Sequence, residues 1–215
     1  MDHRKTDRVL IIANGQIMNK MVLVDYAQKA DCIIAANGGS TICYENKIYP
    51  HFIVGDLDSI DKDVCDYFKE AEVVHIHDQN RHDMDKAVGF ACTLNPKKIY
   101  ILGAFGKRLD HSLANLVFIQ SHKFSIPITF IDDYGQLSYI RGNYDLGLPP
   151  GRTVSLFSFL PVLGLSLEGF AYPLKKADFP NGFNGLSNIT NSVKSRISIK
   201  KGSLFIYRLH ENTPT

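Results

Sequence analysis

The apolar run Phe52-Ile53-Val54 leads directly into Gly55-Asp56-Leu57-Asp58-Ser59. In extended chain, residues two apart point the same way, so Asp56 and Asp58 present both carboxylates to one side while Leu57 turns inward. Two carboxylates converging at a strand end form a seat for Mg²⁺, a hard ion that takes oxygen ligands and keeps some waters for phosphates. The competing use is structural: Asp58 or Ser59 caps a helix beginning near Asp61, which leaves Asp56 unexplained.

A second cluster runs from Asp78 to Lys86, Asp-Gln-Asn-Arg-His-Asp-Met-Asp-Lys. Met84, Ala87, Val88 and Ala91 recur at helical spacing, so a helix starting near His82 or Asp83 buries that stripe. At about 100° per residue, Asp83 and Asp85 lie roughly 200° apart, on opposite flanks, and cannot both ligate one metal if both are helical. Asp83, nearer the preceding strand, is the better ligand candidate, although a first-turn acid also suits the helix dipole without further function. Asp85 is left to solvent or a neighbour.

The third cluster, Gly103-Ala-Phe-Gly-Lys-Arg-Leu-Asp-His111, lies between a strand and a helix on which Leu113, Leu116 and Val117 are expected to face the core. Glycines let backbone approach a phosphate, Lys107 and Arg108 supply charge, and an arginine fork suits phosphate oxygens. Neither a Walker loop nor a GxGxxG fingerprint is present, so these residues specify an anion site and leave its ligand open. Asp110 reads equally well as the N-cap of its helix. His75 and His77 share a strand face near His82, where a solvated strand edge is a better account than a metal pair.

These clusters need elements to position them. Short β-branched runs at Arg8 to Ala13, Asp31 to Ala35, Phe52 to Val54, Glu72 to Ile76, Lys98 to Leu102 and Ile126 to Ile131 alternate with helical stretches. The helical stretches are Asn19 to Lys29, Gly39 to Glu45, Asp61 to Glu70, Asp83 to Leu94 and Asp110 to Ser121. This is the pattern of βαβ units around a mostly parallel sheet, in which ligands gather beyond the carboxyl ends of the strands. After about Gly135, turn dipeptides separate alternating apolar and polar runs, and Ser195 to Leu209 reads as two strands joined by a tight turn. The expected architecture is therefore an α/β domain over 1–134 followed by an all-β sandwich over 135–215.

Of the 215 residues, 45% are hydrophobic, enough for a sizeable core, and 24 basic against 22 acidic side chains leave a formal charge of only +2. Such a balance builds no basic field for nucleic acid. The apolar run near the N-terminus is too short for a signal peptide or a membrane span, so a cytoplasmic protein without a membrane partner is expected. Cys32, Cys43, Cys65 and Cys92 form no CxxC pair and read as reduced, structural thiols.

Taken together, the clusters resemble the thiamin pyrophosphokinase family. Its α/β domain carries GDxDS, DQxxxD and GxRxDH, and its β-sandwich carries GxSN. Here those stretches are Gly55 to Ser59, Asp78 to Asp83, Gly106 to His111, and Gly185-Leu186-Ser187-Asn188. Their order and spacing span most of the chain.

The resemblance implies transfer of pyrophosphate from Mg·ATP to the hydroxyl of thiamin, giving thiamin diphosphate and AMP. It implies Mg²⁺ and phosphate handling by Asp56, Asp58 and Asp83, with Arg108 and Asp110 in the catalytic group. Asn37, Gly38, Gln79, Lys107, Arg108 and His111 would then hold ATP, and Ser187 and Asn188 thiamin. A homodimer is also implied, with the active site at the subunit interface. Three departures stand out: Asn37 and Asn80 occupy positions where family members carry Asp, and the chain has no Trp to stack on the thiamin ring. Phe183 or Tyr172 is the candidate replacement. A hydroxymethylpterin acceptor, a metal-dependent phosphohydrolase and a non-catalytic nucleotide or thiamin sensor are the competing readings.

Overall fold

The computed structural model describes residues 6–56 and 62–211. It divides into a unit over Met1–Asp133 and a unit over Tyr134–Thr215.

The first unit is built on six strands: β1 (Arg8–Ile12), β2 (Cys32–Ala36), β3 (Phe52–Gly55), β4 (Glu72–His75), β5 (Lys98–Leu102) and β6 (Ile128–Ile131). They lie in the order β6-β5-β1-β2-β3-β4, and every registered pair is parallel. Five helices intervene: α1 (Lys20–Lys29), α2 (Gly39–Glu45), α3 (Lys62–Tyr67), α4 (Asp83–Thr93) and α5 (Leu109–Ser121).

Leu10 and Ile12 of β1, Ile33 of β2 and Ile53 of β3 share a buried cluster with Leu23 of α1, Ile42 of α2, and Val64 and Phe68 on or just after α3. The alternate residues Val9, Ile11 and Ile34 are equally buried on the opposite face, where α4 lies on β1, β2 and β3. A strand covered on both faces reads as continuous β-branched sequence, which is why these runs are legible. Each fully buried Ile or Leu contributes about 1.5–3 kcal/mol. The same burial pushes the thiols of Cys32 and Cys43 up to about 11 and about 12, aided at Cys32 by the Asp31 carboxylate, so both are unreactive at neutral pH.

The expected stripe Met84, Ala87, Val88 and Ala91 is the buried face of α4. The expected face of α5 is not. Leu113 and Val117 are 49% and 57% exposed, and the core side is Asn115, Phe118 and Ile119. The helix is apolar nearly all round, so periodicity could not select a face. Its rotation places the Asn115 amide to donate to the Ala104 carbonyl at 2.7 Å, with Phe118 against Phe124 and His122.

The second unit is an antiparallel sandwich of β7 (Gly135–Arg141), β8 (Tyr144–Asp145), β9 (Thr153–Ser158), β10 (Val162–Glu168), β11 (Leu174–Phe179), β12 (Phe183–Ile189), β13 (Arg196–Ser198) and β14 (Ser203–Leu209). One sheet runs β12-β9-β14-β7 and the other β11-β10-β13-β8. Val154, Leu156, Leu204 and Ile206 from the first meet Val162, Leu165, Leu167 and Ile197 from the second.

The two strands expected between Ser195 and Leu209 exist but do not pair. β13 pairs with β10 and β8, while β14 pairs with β7 and β9. The intervening turn carries the chain from one sheet to the other. Gly202 adopts φ 109, and a Cβ there would meet the Pro161 carbonyl oxygen at 2.5 Å, so glycine is required at the crossing. Because Ile197, Leu204 and Ile206 all face one core, the alternation imitates a hairpin.

Candidate active site

The strand order of the first unit reverses at β1, with β2 on one side and β5 on the other. At such a switch point the loops beyond the strand ends part and leave a crevice. Here Ala13, Gly15 and Gln16 donate backbone bonds to Leu102, Gly103 and Phe105, zipping the turn after β1 to the turn after β5. A Cβ on Gly15 would collide with the Gly103 and Phe105 carbonyls, so the approach needs glycine. The cleft above has a volume of about 760 Å³, within the range of small-ligand sites.

Asp56, Gln79, Asp83, Lys107, Arg108, Asp110 and His111 all line this cleft. Asp58 lies outside the described residues. Asn37 and Gly38 stand behind the lining. Asn37 follows β2 in the left-handed region at φ 44, and its Nδ2 donates to Asp56 Oδ1 at 3.0 Å and to Asp83 Oδ2 at 3.1 Å. One amide thus ties together carboxylates from two loops. Gly38 admits the Asn14 side chain, which a Cβ would strike.

Asp83 is the first residue of α4, and Asp85 turns away to Arg81 at 2.6 Å, as their angular separation required. Partial burial beside Phe118 pushes the His82 pKa down from the ordinary imidazole value. His75 and His77 lie 3.7 Å apart by ring centroid, and His75 Nε2 is 2.7 Å from the Asp56 carbonyl oxygen. β4 is the sheet edge, and both imidazoles are exposed there.

α5 begins at Leu109 with Arg108 as N-cap, so Asp110 stands in the first turn rather than at the cap. Its carboxylate accepts from Arg108 Nε at 3.1 Å and Nη2 at 2.5 Å, and this guanidinium holds the Asp110 pKa down at about 2. Lys107 adopts φ 51 and donates to Asn14 Oδ1 at 3.0 Å.

Three contributors escaped the sequence reading. Asn14 and Gly15 follow β1 at the switch point, where position alone is the signal. Lys86 lies three residues after Asp83, on the same flank of α4, and its Nζ reaches Asp56 Oδ2 at 3.2 Å.

In the sandwich, Ser187 sits on edge strand β12 where the register with β9 slips, with φ 54 and an exposed side chain. A non-glycine residue held left-handed at a bulge is a strained position of the kind found at ligand sites. Asn188 is 5% exposed; its Nδ2 donates to the Tyr172 carbonyl at 2.9 Å, and its Oδ1 accepts from Tyr172 N at 3.1 Å and Ile189 N at 2.9 Å. Its side chain fixes the backbone of Tyr172, a residue 70% exposed. Phe183 instead packs on Phe179 with centroids 4.5 Å apart.

Among the described residues, no helix is long and apolar enough to cross a membrane. The family model for the thiamin pyrophosphokinase catalytic domain matches residues 23–130, and that for its vitamin B1 binding domain matches residues 140–204. The chain is 28% identical over 208 residues to a thiamine pyrophosphokinase of Bacillus subtilis, covering 92% of this chain and 96% of that protein. It is 26% identical over 197 residues to thiamin pyrophosphokinase 1 of Caenorhabditis elegans, covering 84% and 79%. Of the solved structures, the thiamine pyrophosphokinase of Bacillus subtilis aligns with a TM-score of 0.81 at 25% identity, over 95% of this chain and 100% of that one. The enzyme of Candida albicans has the same fold, with a TM-score of 0.78 at 19% identity over 95% and 90%. With both domain models matched in order and relatives aligned over nearly the whole length, the chain belongs to the thiamin pyrophosphokinase family.

Proposed function

We propose that this chain transfers pyrophosphate from Mg·ATP to the hydroxyl of thiamin, giving thiamin diphosphate and AMP. The observation that carries this reading is the Asn37 amide holding Asp56 and Asp83 together in the cleft that also contains Arg108. The alcohol oxygen attacks the β-phosphorus, the bond to the oxygen bridging the α-phosphate breaks, and AMP departs with that oxygen. Such a transfer needs positioning and charge neutralisation more than covalent catalysis.

The donor set fits a hard divalent cation, since oxygens of Asp56 and Asp83 lie within 3.1 Å of one nitrogen. Asp56 and Asp83, with Asp58 from the adjoining segment, are the residues proposed to hold Mg²⁺, which when bound neutralises phosphate charge. Arg108 is oriented by Asp110 with its fork partly committed, and together with Lys107, Gln79 and His111 it would bind the triphosphate and nucleoside; Gly38 and Asn37 shape the floor. A carboxylate of this group would take the alcohol's proton.

Thiamin is proposed to meet Ser187 and the exposed ring of Tyr172, a face for its cationic thiazolium. Asn188 serves by fixing Tyr172, and Phe183 is committed to the core. A homodimer with the active site at the subunit interface completes the reading, tested by light scattering of the purified chain. The family matches do not favour the pterin acceptor, the phosphohydrolase or the sensor.

The decisive assay incubates the protein with ATP, Mg²⁺ and thiamin. AMP and thiamin diphosphate in equal amounts are expected; ADP, free phosphate or no turnover would overturn the reading.

A further inference from the structure

Lys86 is the one buried charged side chain among the described residues, 2% exposed. A buried ammonium is costly unless an anion accompanies it, and here the anion is Asp56, whose Oδ2 lies 3.2 Å from Nζ. The other oxygen of Asp56 accepts from Asn37, and the same Asn37 nitrogen holds Asp83. Asn37 is itself buried and fixed in the left-handed region, a conformation asparagine tolerates. Helix α4 therefore delivers an acid at its first position and an ammonium three residues later to one place. With both acids ionised, the two carboxylates and the ammonium carry one net negative charge instead of two. An arriving cation must share the carboxylate oxygens with two protein donors, against the repulsion of an ammonium that cannot retreat to water.

We propose that Lys86 and Asn37 are positioning residues: they hold Asp56 and Asp83 in working arrangement before any cation arrives, and make divalent-cation uptake depend on bound polyphosphate. Phosphates supply the negative charge that the protein withholds. The identification of the polyphosphate as ATP rests on the function proposed above.

The test uses Mn²⁺ alone as probe, titrated into the folded full chain without nucleotide and read as free Mn²⁺ by electron paramagnetic resonance. Lys86→Met and Asn37→Asp should each bind Mn²⁺ at least about tenfold more tightly than the wild type, since each makes the group more negative by one charge. Lys86→Arg should stay near the wild-type value. The wild type should also bind Mn·ATP at least about tenfold more tightly than metal-free ATP by calorimetry.

A merely structural lysine predicts a lower melting temperature in Lys86→Met with Mn²⁺ affinity unchanged, and that result would overturn the proposal. Should Lys86→Met fail to fold, Asn37→Asp decides alone, and unchanged Mn²⁺ affinity there refutes it. Failure of the assay for AMP would instead sink the assigned reaction, while the Mn²⁺ titrations would still stand or fall separately.

Discussion

In the α/β unit, β1 and β2 are buried on both faces, so nearly every side chain on them is committed to packing. The groups able to do chemistry lie beyond the strands, Asn14, Asn37 and Asp56 just after β1, β2 and β3, and Asp83 at the start of α4. The sandwich works the other way: Ser187 and Asn188 sit inside a strand, at a sheet edge where a register slip re-aims one outward and the next inward. Helices over a parallel sheet leave the loops and the first turns of helices for function, whereas an exposed edge strand can itself carry a site. In the first unit, then, function is separable from folding except where Lys86 intrudes; in the second, one residue serves both.

The sharpest way to break that contrast is to neutralise the carboxylates. Asp83→Asn should lower turnover by about 10²–10³-fold or more with little change in melting temperature. Asp56→Asn should lower turnover similarly and also lower the melting temperature, because Lys86 is left buried without an anion. Equal thermal stability of the two variants would show that the ion pair contributes nothing to the fold.

A smaller effect is expected in the sandwich, where Asn188→Ala removes the bonds to Tyr172. A cost of about 1–3 kcal/mol in stability is expected, together with a raised KM for thiamin and an unchanged KM for ATP. Tyr172→Leu should raise the same KM by roughly three- to thirtyfold with no loss of stability, the range of a cation over an aromatic face. If Asn188→Ala affected stability alone, its proposed service to the substrate site would be wrong.

Ser187→Gly sharpens the comparison further. Glycine relieves the left-handed backbone, so denaturant unfolding should show stability unchanged or higher by up to about 1 kcal/mol, while thiamin affinity falls with the lost hydroxyl.

The smallest effect concerns pH. The Asp110 carboxyl is depressed in the folded chain, so its ion pair is fully formed above the ordinary carboxylate range and is lost only as pH falls toward about 2. Its carboxyl ¹³C shift should accordingly stay flat from about pH 8 down to about pH 4. A midpoint near the ordinary value would show that Arg108 does not hold it.

Much of the first unit was legible because doubly covered strands must be apolar throughout, and acids placed after such strands have nowhere to pack. The buried stripe of α4 was legible because Met84, Ala87, Val88 and Ala91 recur at helical spacing. The face of α5 was not, since Leu113, Leu116, Val117, Phe118 and Ile119 offer apolar residues in several directions and a single amide bond from Asn115 selects among them. Lys86 was hidden because a lysine beside an apolar stripe ordinarily extends to water. The partners of β13 and β14 were not legible, because alternation reports which side of a strand is buried and says nothing about which sheet it joins.

Residue order by itself determined which segments are strands and helices and which loops carry acids, guanidinium and glycine, because burial and backbone freedom are written locally. Only the tertiary structure decided that Asn37 lies between Asp56 and Asp83, that Lys86 is turned inward to meet them, and that Asn188 fixes Tyr172. Those arrangements depend on groups 16 to 46 residues apart reaching hydrogen-bonding distance, and pairing between distant groups leaves no periodic trace in a sequence.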